Sequence, residues 1–508
     1  MSEKPHDHRA LYKRNSIPRT QEQLRERHIL LDESLRKKHR EQLITAKRFR
    51  NLTRREERES IIPEPEIVTE HDEDIDPYYR LTPAQVEDLK NDLKSSDKES
   101  RLEAAHYIAK FVLEPAQVLI DYITQGDCIE SLTRMLSSSD PEEQLQAAKT
   151  ISDIAAGPYD LWIKSISTVP YMITLLASDN ASLAEAAALA LGNMAAEDLG
   201  QLTTEDDEVR AQICNNGAIP PLIKLLNSND SRLIQTACFT LANLARGQEK
   251  QMVRAGISEA LFRHMKDKTS DTVTEVCWVM SYLCAGSEDF KKELIGRDIH
   301  LLLVENFQIL ADQGPTVLPV LRTLGHLASG SDDDVELLLD QDNFLYTLLQ
   351  LTHSEQHAIR KESLWVLSNI TTTERPENIR KVVDGNALTY IVDIIVQHTA
   401  FDIRQGAATC LMNIALHGEH YINMLPHKDL LPAFLELIRS QDVECMRVGL
   451  SYVEMLLTRV PRGNEIIETT PACMETLGSV NPSPDQELYE FANKLVDKFY
   501  NDNPALAS

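Results

Sequence analysis

From about residue 82 onward, the chain repeats a short pattern whose core reads small, small, variable, apolar. Apolar residues at this spacing line one face of a helix. The pattern therefore predicts nine helices with similar buried faces. They contain AAHYIAKF (104–111), AAKTISDI (147–154), AALALGNM (187–194), ACFTLANL (237–244), VCWVMSYL (276–283), VLRTLGHL (320–327), SLWVLSNI (363–370), AATCLMNI (407–414) and VGLSYVEM (448–455).

The spacing of these segments indicates a repeat architecture. Aligned at their seventh residue, they are separated by 43, 40, 50, 39, 44, 43, 44 and 41 residues, and the polar insertion DLGQLTTEDDE (198–208) accounts for the longest gap. A period near 42 is typical of armadillo repeats, which have two or three helices each.

One unit, residues 213–247, shows how a repeat is divided into helices. Gly217 permits a sharp turn, and Pro220 and Pro221 suit the first turn of a second helix. Asn227 to Asp230 end that helix, and a third helix is predicted from Ser231 to Arg246.

Each predicted unit exposes an apolar side that the next unit covers, so the units form one superhelix. We predict an all-α armadillo solenoid of about ten units over residues 82–508, closed by the polar C-terminal cap ELYEFANKLVDKFYND (487–502). A basic, conditionally ordered helix precedes it.

Charge is distributed unevenly between an N-terminal segment, residues 1–60 (the basic head), and the rest of the chain (the acidic body). Residues 1–60 carry 17 Lys and Arg against 10 Asp and Glu, a net charge of +7, whereas the rest of the chain carries −34. Residues 61–81 read as an acidic, flexible linker, with seven acids from Glu64 to Asp76. The basic head is expected to have its own partner, and the acidic body to bind cationic ligands rather than nucleic acid.

Several classes of protein are disfavoured. The eight cysteines form no CxxC pair, and no apolar run is long enough for a membrane span or a signal peptide, so we expect a soluble, intracellular, reduced protein. GxxxxGK[ST], HExxH and GxSxG are absent from the sequence, and we expect neither catalysis nor a cofactor or metal.

The seventh-position residue of each repeated segment shares a helix face with the residue four positions earlier. These pairs are predicted to form a ladder along the concave surface, in which amides hold the backbone of an extended peptide and aromatic rings flank its Lys or Arg side chains. The pairs are His106/Lys110, Lys149/Asp153, Leu189/Asn193, Phe239/Asn243, Trp278/Tyr282, Arg322/His326, Trp365/Asn369, Thr409/Asn413 and Leu450/Glu454. Alternatively, the Asn and Trp residues only cap and pack the helices.

The segments LWVLSNITTTERPENIRKVVDGNAL, CWVMSYLCAGSED, VLRTLGHLASGSDDD and CNNGAIPPLIKLL resemble the armadillo repeats of the importin-α (karyopherin-α) family. LRKKHREQLITAKRFRN resembles that family's importin-β-binding segment. The resemblance covers nearly the whole chain and implies a nuclear import adaptor, which shuttles between cytoplasm and nucleus and binds basic localisation signals of its cargo in the groove.

The resemblance also implies the roles of particular residues. Asn193, Asn243 and Asn369 match the family's Asn clamp, and Trp278, Tyr282 and Trp365 match its aromatic positions. Glu197 matches the position of an acid that binds a Lys of the signal, and Gly157 matches the position of a backbone carbonyl that helps bind the same Lys. Arg322 and Ser368 also match family positions. The ladder adds Asp153, Phe239 and Asn413 as peptide-binding candidates.

The chain departs from the family pattern at several ladder positions. Lys149 and Asp153 replace Trp and Asn; Leu189, Phe239 and Thr409 replace Trp; Gly406 replaces an acid; and His326 replaces Asn. Lys149 puts a cation where a cationic ligand should lie. We therefore expect a weakened or redirected major pocket and a narrow set of cargoes.

The basic head has two interpretations: a solvated charged helix, or a ligand of an importin-β-like carrier. In the second, the residues that pair with carboxylates of the carrier are Arg25, Arg27, Arg36, Lys37, Lys38 and Arg40. Lys47, Arg48 and Arg50 resemble a localisation signal and could occupy the groove as a tethered autoinhibitor.

Three functional classes follow: an import adaptor, an armadillo scaffold or chaperone dedicated to one basic partner, and an enzyme on a helical array, which the lack of catalytic motifs disfavours. An export factor at the C-terminal cap is a further candidate partner.

Overall fold

The third helix of each repeat has a buried apolar face, and in several repeats it follows a capping residue. A computed structural model describes residues 81–112, 115–196, 204–266, 270–397, 400–440, 442–470, 472–480 and 486–502. Within these ranges all regular structure is helical, and we observe no strand. The described residues fall into two compact units, an N-terminal unit (81–297) and a C-terminal unit (298–502), each described separately below.

The N-terminal unit contains fifteen α-helices within the described ranges, with a short 3₁₀ helix over Ile166–Thr168. They are α1 (Pro83–Asp92), α2 (Lys98–Phe111), α3 (Gln117–Gln125), α4 (Cys128–Leu136), α5 (Pro141–Ala155), α6 (Tyr159–Ser165), α7 (Val169–Leu175), α8 (Ala181–Ala195), α9 (Thr204–Asn215), α10 (Ile219–Leu225), α11 (Ser231–Ala245), α12 (Glu249–Arg254), α13 (Ile257–His264), α14 (Ser270–Gly286) and α15 (Glu288–Gly296). The third helices α2, α5, α8, α11 and α14 pack side by side in that order.

The C-terminal unit contains fourteen α-helices within the described ranges and a 3₁₀ helix over Gly314–Val317. They are α16 (Ile299–Leu310), α17 (Leu318–Ala328), α18 (Asp332–Leu339), α19 (Phe344–Leu351), α20 (His357–Thr371), α21 (Pro376–Asp384), α22 (Ala387–Val396), α23 (Phe401–Ala415), α24 (Glu419–Asn423), α25 (His427–Arg439), α26 (Val443–Arg459), α27 (Gly463–Thr469), α28 (Cys473–Gly478) and α29 (Gln486–Asp502). Here the third helices are α17, α20, α23 and α26.

A local Ser-x-Asp or Ser-x-Asn motif starts several third helices. The serine hydroxyl accepts a hydrogen bond from the backbone N–H of the Asp or Asn, whose own side chain accepts one from the first turn of the helix. Before α11, Asp230 N donates to Ser228 Oγ (3.0 Å) and Arg232 N donates to Asp230 Oδ1 (3.0 Å). Such caps satisfy amide groups that have no partner inside the helix. The same arrangement begins α2, α5, α8 and α26.

The core lies between the stacked third helices. In the representative repeat, Leu233, Ala237, Leu241 and Leu244 of α11 are buried, as its helical periodicity predicts. Gly217 lies in the left-handed region at φ +91°, in the turn that leads into α10. The all-α fold predicted from the sequence is confirmed.

Candidate peptide-binding surface

The asparagines of the N-terminal unit connect consecutive third helices. Asn193 Nδ2 on α8 donates to the carbonyl oxygen of Ser152 on α5 at 3.0 Å. Asn243 Nδ2 on α11 donates to the carbonyl oxygen of Gly192 on α8 at 2.9 Å. Each acceptor belongs to the residue just before the seventh position of the preceding helix, so the same hydrogen bond recurs from one repeat to the next.

The C-terminal unit repeats this arrangement. Asn369 Nδ2 on α20 donates to the carbonyl oxygen of Gly325 on α17 at 2.9 Å. Asn413 Nδ2 on α23 donates to Thr371 Oγ1 of α20 at 3.2 Å. The Asn column therefore holds neighbouring repeats together, a role that the sequence interpretation assigned only as an alternative to peptide binding.

Two glycines let aromatic rings lie against the preceding helix. A Cβ atom at position 192 would lie 2.7 Å from Phe239 Cε1, and one at position 325 would lie 2.1 Å from Trp365 Cζ3. Because no Cβ atom tolerates such distances, only glycine leaves room for these rings. The sequence interpretation missed both glycines, although LGN and LGH contain them at matching positions.

Two further ring pairs occur along the ladder. Trp278 and Tyr282 of α14 stack on each other with ring centroids 6.1 Å apart, and both are buried. In the C-terminal unit, the His326 ring meets Trp365 edge-on at 5.2 Å. Trp365 keeps part of its surface exposed, so it is the tryptophan of the ladder that a ligand can reach in this conformation.

The predicted site residues differ in accessibility. Half-buried residues are Asp153, Gly157, Asn193, Asn243 and Trp365. Buried residues are Phe239, Trp278, Tyr282, Arg322, Ser368, Asn369 and Asn413. The ladder is thus more deeply packed than the sequence interpretation expected, because its side chains fill the contacts between successive third helices.

Arg322 is held in a buried ion pair. Its Nη2 lies 2.8 Å from Glu362 Oε1 on α20, and both side chains are at most 3% exposed. A buried guanidinium needs such a partner, since desolvation of an unpaired charge is costly. The pair joins α17 to α20 and gives Arg322 a structural contact in addition to its predicted peptide-binding role.

Asp153 differs electrostatically from the asparagines of the column. It is half-buried on α5, one turn after the exposed Lys149. Burial raises the pKa of Asp153 to about 7, and the nearby Lys149 opposes that shift. Near neutral pH the Asp153 carboxyl is therefore only partly ionised, which makes it a weak partner for a cationic ligand.

Replacing Asp153 by asparagine is expected to stabilise the N-terminal unit above pH 7. The unfolded carboxyl ionises near 3.8 and the folded one near 7, so the native carboxyl destabilises the fold increasingly as the pH rises between these values. We expect a gain of about 1 kcal/mol at pH 8, reduced from the full shift because the group is half-buried, and almost none at pH 4. Urea unfolding of the parent protein and the variant at pH 4 and pH 8 measures this gain in stability. The exposed Asp160→Asn serves as the control, and an equal effect of Asp153→Asn at both pH values would contradict the assignment.

Several predicted residues lie outside the described residues. They are Glu197, the proposed importin-β contacts Arg25, Arg27, Arg36, Lys37, Lys38 and Arg40, and the proposed autoinhibitory residues Lys47, Arg48 and Arg50. Within the described ranges, no group of three or more His, Cys, Asp or Glu side chains is arranged to hold a metal ion. No helix in the described part of the chain has the length and apolarity needed to cross a bilayer.

Comparison with known proteins agrees with this architecture. Residues 206–246 match the armadillo/beta-catenin-like repeat family. A crystal structure of an engineered protein aligns with 82% of this chain and 99% of its own at a TM-score of 0.67 and 25% sequence identity. The protein is an armadillo-repeat solenoid.

The chain is also similar to curated importin-α subunits. Importin subunit alpha-9 of Arabidopsis thaliana is 26% identical over 69% of this chain and 70% of its own length. Importin subunit alpha-2 of Oryza sativa subsp. japonica is 26% identical over 59% of this chain and 61% of its own. Over well over half of its length, the chain is thus similar to importin-α subunits.

Proposed function

We propose that this protein is a nuclear import adaptor, which binds basic localisation signals of cargo through the ladder of its third helices and an importin-β-like carrier through residues 1–60. Similarity to importin-α subunits supports the adaptor role. The proposal places the protein in both cytoplasm and nucleus and assigns it no catalytic step.

The observation that carries the proposal is the recurrence of one arrangement, an aromatic residue and an asparagine one turn apart, in Phe239/Asn243 and Trp365/Asn369. An amide nitrogen carries two hydrogens, and the hydrogen bond to the preceding helix uses one of them. At the half-buried Asn243, the second hydrogen and Oδ1 suit the backbone of an extended guest peptide.

A carrier-binding experiment tests the adaptor role. The full-length protein, immobilised at physiological salt, is expected to retain importin-β, and a protein that lacks residues 1–60 is not. Removal of the head is also expected to increase the affinity for a Lys-rich signal peptide if the head competes for the groove. Retention of importin-β by the truncated protein would contradict the proposal.

Trp365 offers the sharpest test of peptide binding. Replacing it by alanine is expected to weaken the binding of a Lys-rich peptide by about 2 kcal/mol, because the ring supplies both apolar and cation–π contact. Fluorescence anisotropy of a labelled peptide measures the change. Tyr346→Ala, which removes an exposed ring from α19 in the same unit, is the matched control. Equal affinities of the two variants would remove Trp365 from the site.

A dedicated scaffold or chaperone for one basic partner is the second candidate function. The observation that favours it is the replacement of family residues at the start of the ladder, where Lys149 and the partly protonated Asp153 stand. Such a protein would bind its partner but not a panel of simple Lys-rich signals, so the peptide titration separates the two functions.

A further inference from the structure

A groove in the N-terminal unit lies between two consecutive repeats, away from the ladder. It has a volume of about 500 Å³. Helices α3 and α4 of one repeat form one side, and α6 with the 3₁₀ helix over Ile166–Thr168 of the next repeat forms the other. All of its described lining residues lie outside the third helices. A ligand in this groove would therefore not compete directly for the ladder side chains.

The surface of the groove is mainly aliphatic, and we call it the isoleucine groove. Of its four isoleucines, Ile123 is buried, and the other three are half-buried: Ile129, Ile163 and Ile166. Three partly exposed isoleucines in one groove show that it is open to solvent rather than enclosed. Covering such aliphatic surface is favourable, because it removes apolar area from water.

The hydroxyl groups of the isoleucine groove are already used within the protein. Thr124 Oγ1 donates to the carbonyl oxygen of Ile120 at 2.8 Å, and Ser167 Oγ donates to the carbonyl oxygen of Lys164 at 3.1 Å. Sites for small molecules are instead concave cavities in which several polar groups converge on the ligand. The isoleucine groove is therefore better suited to apolar side chains of a protein segment.

Two charged side chains of opposite sign line the isoleucine groove. Glu130 on α4 and Lys164 on α6 are both exposed, and they belong to the two repeats that form its two sides. Within the described ranges, neither of them forms an ion pair. Asp127, which precedes α4, already pairs with Lys94 Nζ at 2.6 Å. A guest with a base at one end and an acid at the other complements both free charges.

We propose that the isoleucine groove is a docking site for a segment of a partner protein in which large apolar residues lie between a Lys or Arg and an Asp or Glu. The apolar side chains cover the isoleucines, the base lies at Glu130 and the acid lies at Lys164. Exposed ion pairs are weak, so the apolar contact supplies most of the affinity and the charges select the partner. This inference does not rest on the import function, because the ladder takes no part in it.

Peptide binding to the full-length protein tests the docking. The probe is a fluorescein-labelled peptide with the sequence Lys-Leu-Ile-Leu-Glu, blocked at both ends. A serine peptide, Lys-Ser-Ser-Ser-Glu, keeps the charges and removes the apolar side chains. Two like-charged peptides, Lys-Leu-Ile-Leu-Lys and Glu-Leu-Ile-Leu-Glu, keep the apolar side chains and change the charges. Fluorescence anisotropy gives the Kd of each peptide.

The probe is expected to bind the parent protein roughly tenfold or more tightly than the serine peptide does, because the isoleucines lose their guest. Glu130→Lys makes both sides of the groove positive, and it is expected to change the ratio of the two like-charged affinities about tenfold in favour of the acidic peptide. Lys164→Glu is expected to change this ratio by a similar factor in favour of the basic peptide. Asp179→Lys, which reverses an exposed charge before α8, is the matched control and is expected to change the ratio less than about twofold.

Three results would overturn the proposal. The first is an absence of saturable probe binding up to about 1 mM. The second is equal binding of the probe and the serine peptide. The third is a ratio that responds to Glu130→Lys and Lys164→Glu no more than to Asp179→Lys, because the peptides would then bind elsewhere, for example on the ladder. Both test positions are exposed, so both variants are expected to fold, and circular dichroism checks this.

Discussion

Replacing Glu362 by glutamine is expected to lower the free energy of unfolding of the C-terminal unit by about 3 kcal/mol. The substitution keeps the shape of the side chain but removes the charge that faces Arg322 at 2.8 Å. Because both side chains are almost fully buried, the guanidinium would stay in a medium of low polarity without its carboxylate. Urea unfolding followed by circular dichroism and tryptophan fluorescence measures the loss.

Two controls make this prediction specific. Glu465→Gln removes an exposed partner of Arg462 in the same unit, and it is expected to change stability by less than about 0.5 kcal/mol. Arg322→Met combined with Glu362→Leu removes both charges and is expected to recover most of the stability, since a buried pair often exchanges for apolar groups at little net cost. A loss from Glu362→Gln as small as that from Glu465→Gln would show that Arg322 does not depend on this pair.

The helices of this protein follow from local sequence features. Apolar residues at helical spacing predict α11 from Ser231 to Arg246, and it is observed over Ser231–Ala245. The Ser-x-Asp turn before it is equally local, since all of its hydrogen bonds lie within a few residues. Features of this kind are encoded within one repeat, so the sequence alone predicts them.

The contacts between repeats depend on register, which a single repeat does not contain. Asn369 and Gly325 are 44 residues apart, and Arg322 and Glu362 are 40 apart. A ladder of asparagines can be predicted from their spacing, but the direction in which each amide donates depends on how far one helix slides along the next. The sequence interpretation kept packing as an alternative to peptide binding for these asparagines, but it did not specify that their amides donate to the preceding helix.

The exposure of the ladder side chains also depends on neighbouring repeats, so it could not be predicted from one repeat. Spacing places Trp278, Tyr282 and Trp365 on corresponding helix faces, yet only Trp365 keeps exposed surface in the described residues. Trp278 stacks on Tyr282 within its own helix, whereas Trp365 lies over Gly325 of the preceding one. The size of the neighbouring side chain decides how a ring lies, and that neighbour belongs to another repeat.

Replacing Gly325 by alanine is expected to destabilise the C-terminal unit by about 3 kcal/mol, at the upper end of the usual penalty for overpacking. The new methyl group would lie 2.1 Å from Trp365 Cζ3, so the indole must move or α17 and α20 must separate. Separation would also stretch the 2.9 Å hydrogen bond from Asn369 Nδ2 to the carbonyl oxygen of residue 325.

Gly478→Ala is the matched control, because position 478 in α28 is exposed, belongs to the same unit and has no atom within 4 Å of a new Cβ. That substitution is expected to be neutral or slightly stabilising, since alanine reduces the conformational entropy of the unfolded chain. Chemical unfolding compares the two variants, and the fluorescence of Trp365 reports whether its ring has moved. If Gly325→Ala unfolds like Gly478→Ala with unchanged Trp365 emission, the indole does not lie against α17, and the ring is instead available to a ligand on both faces.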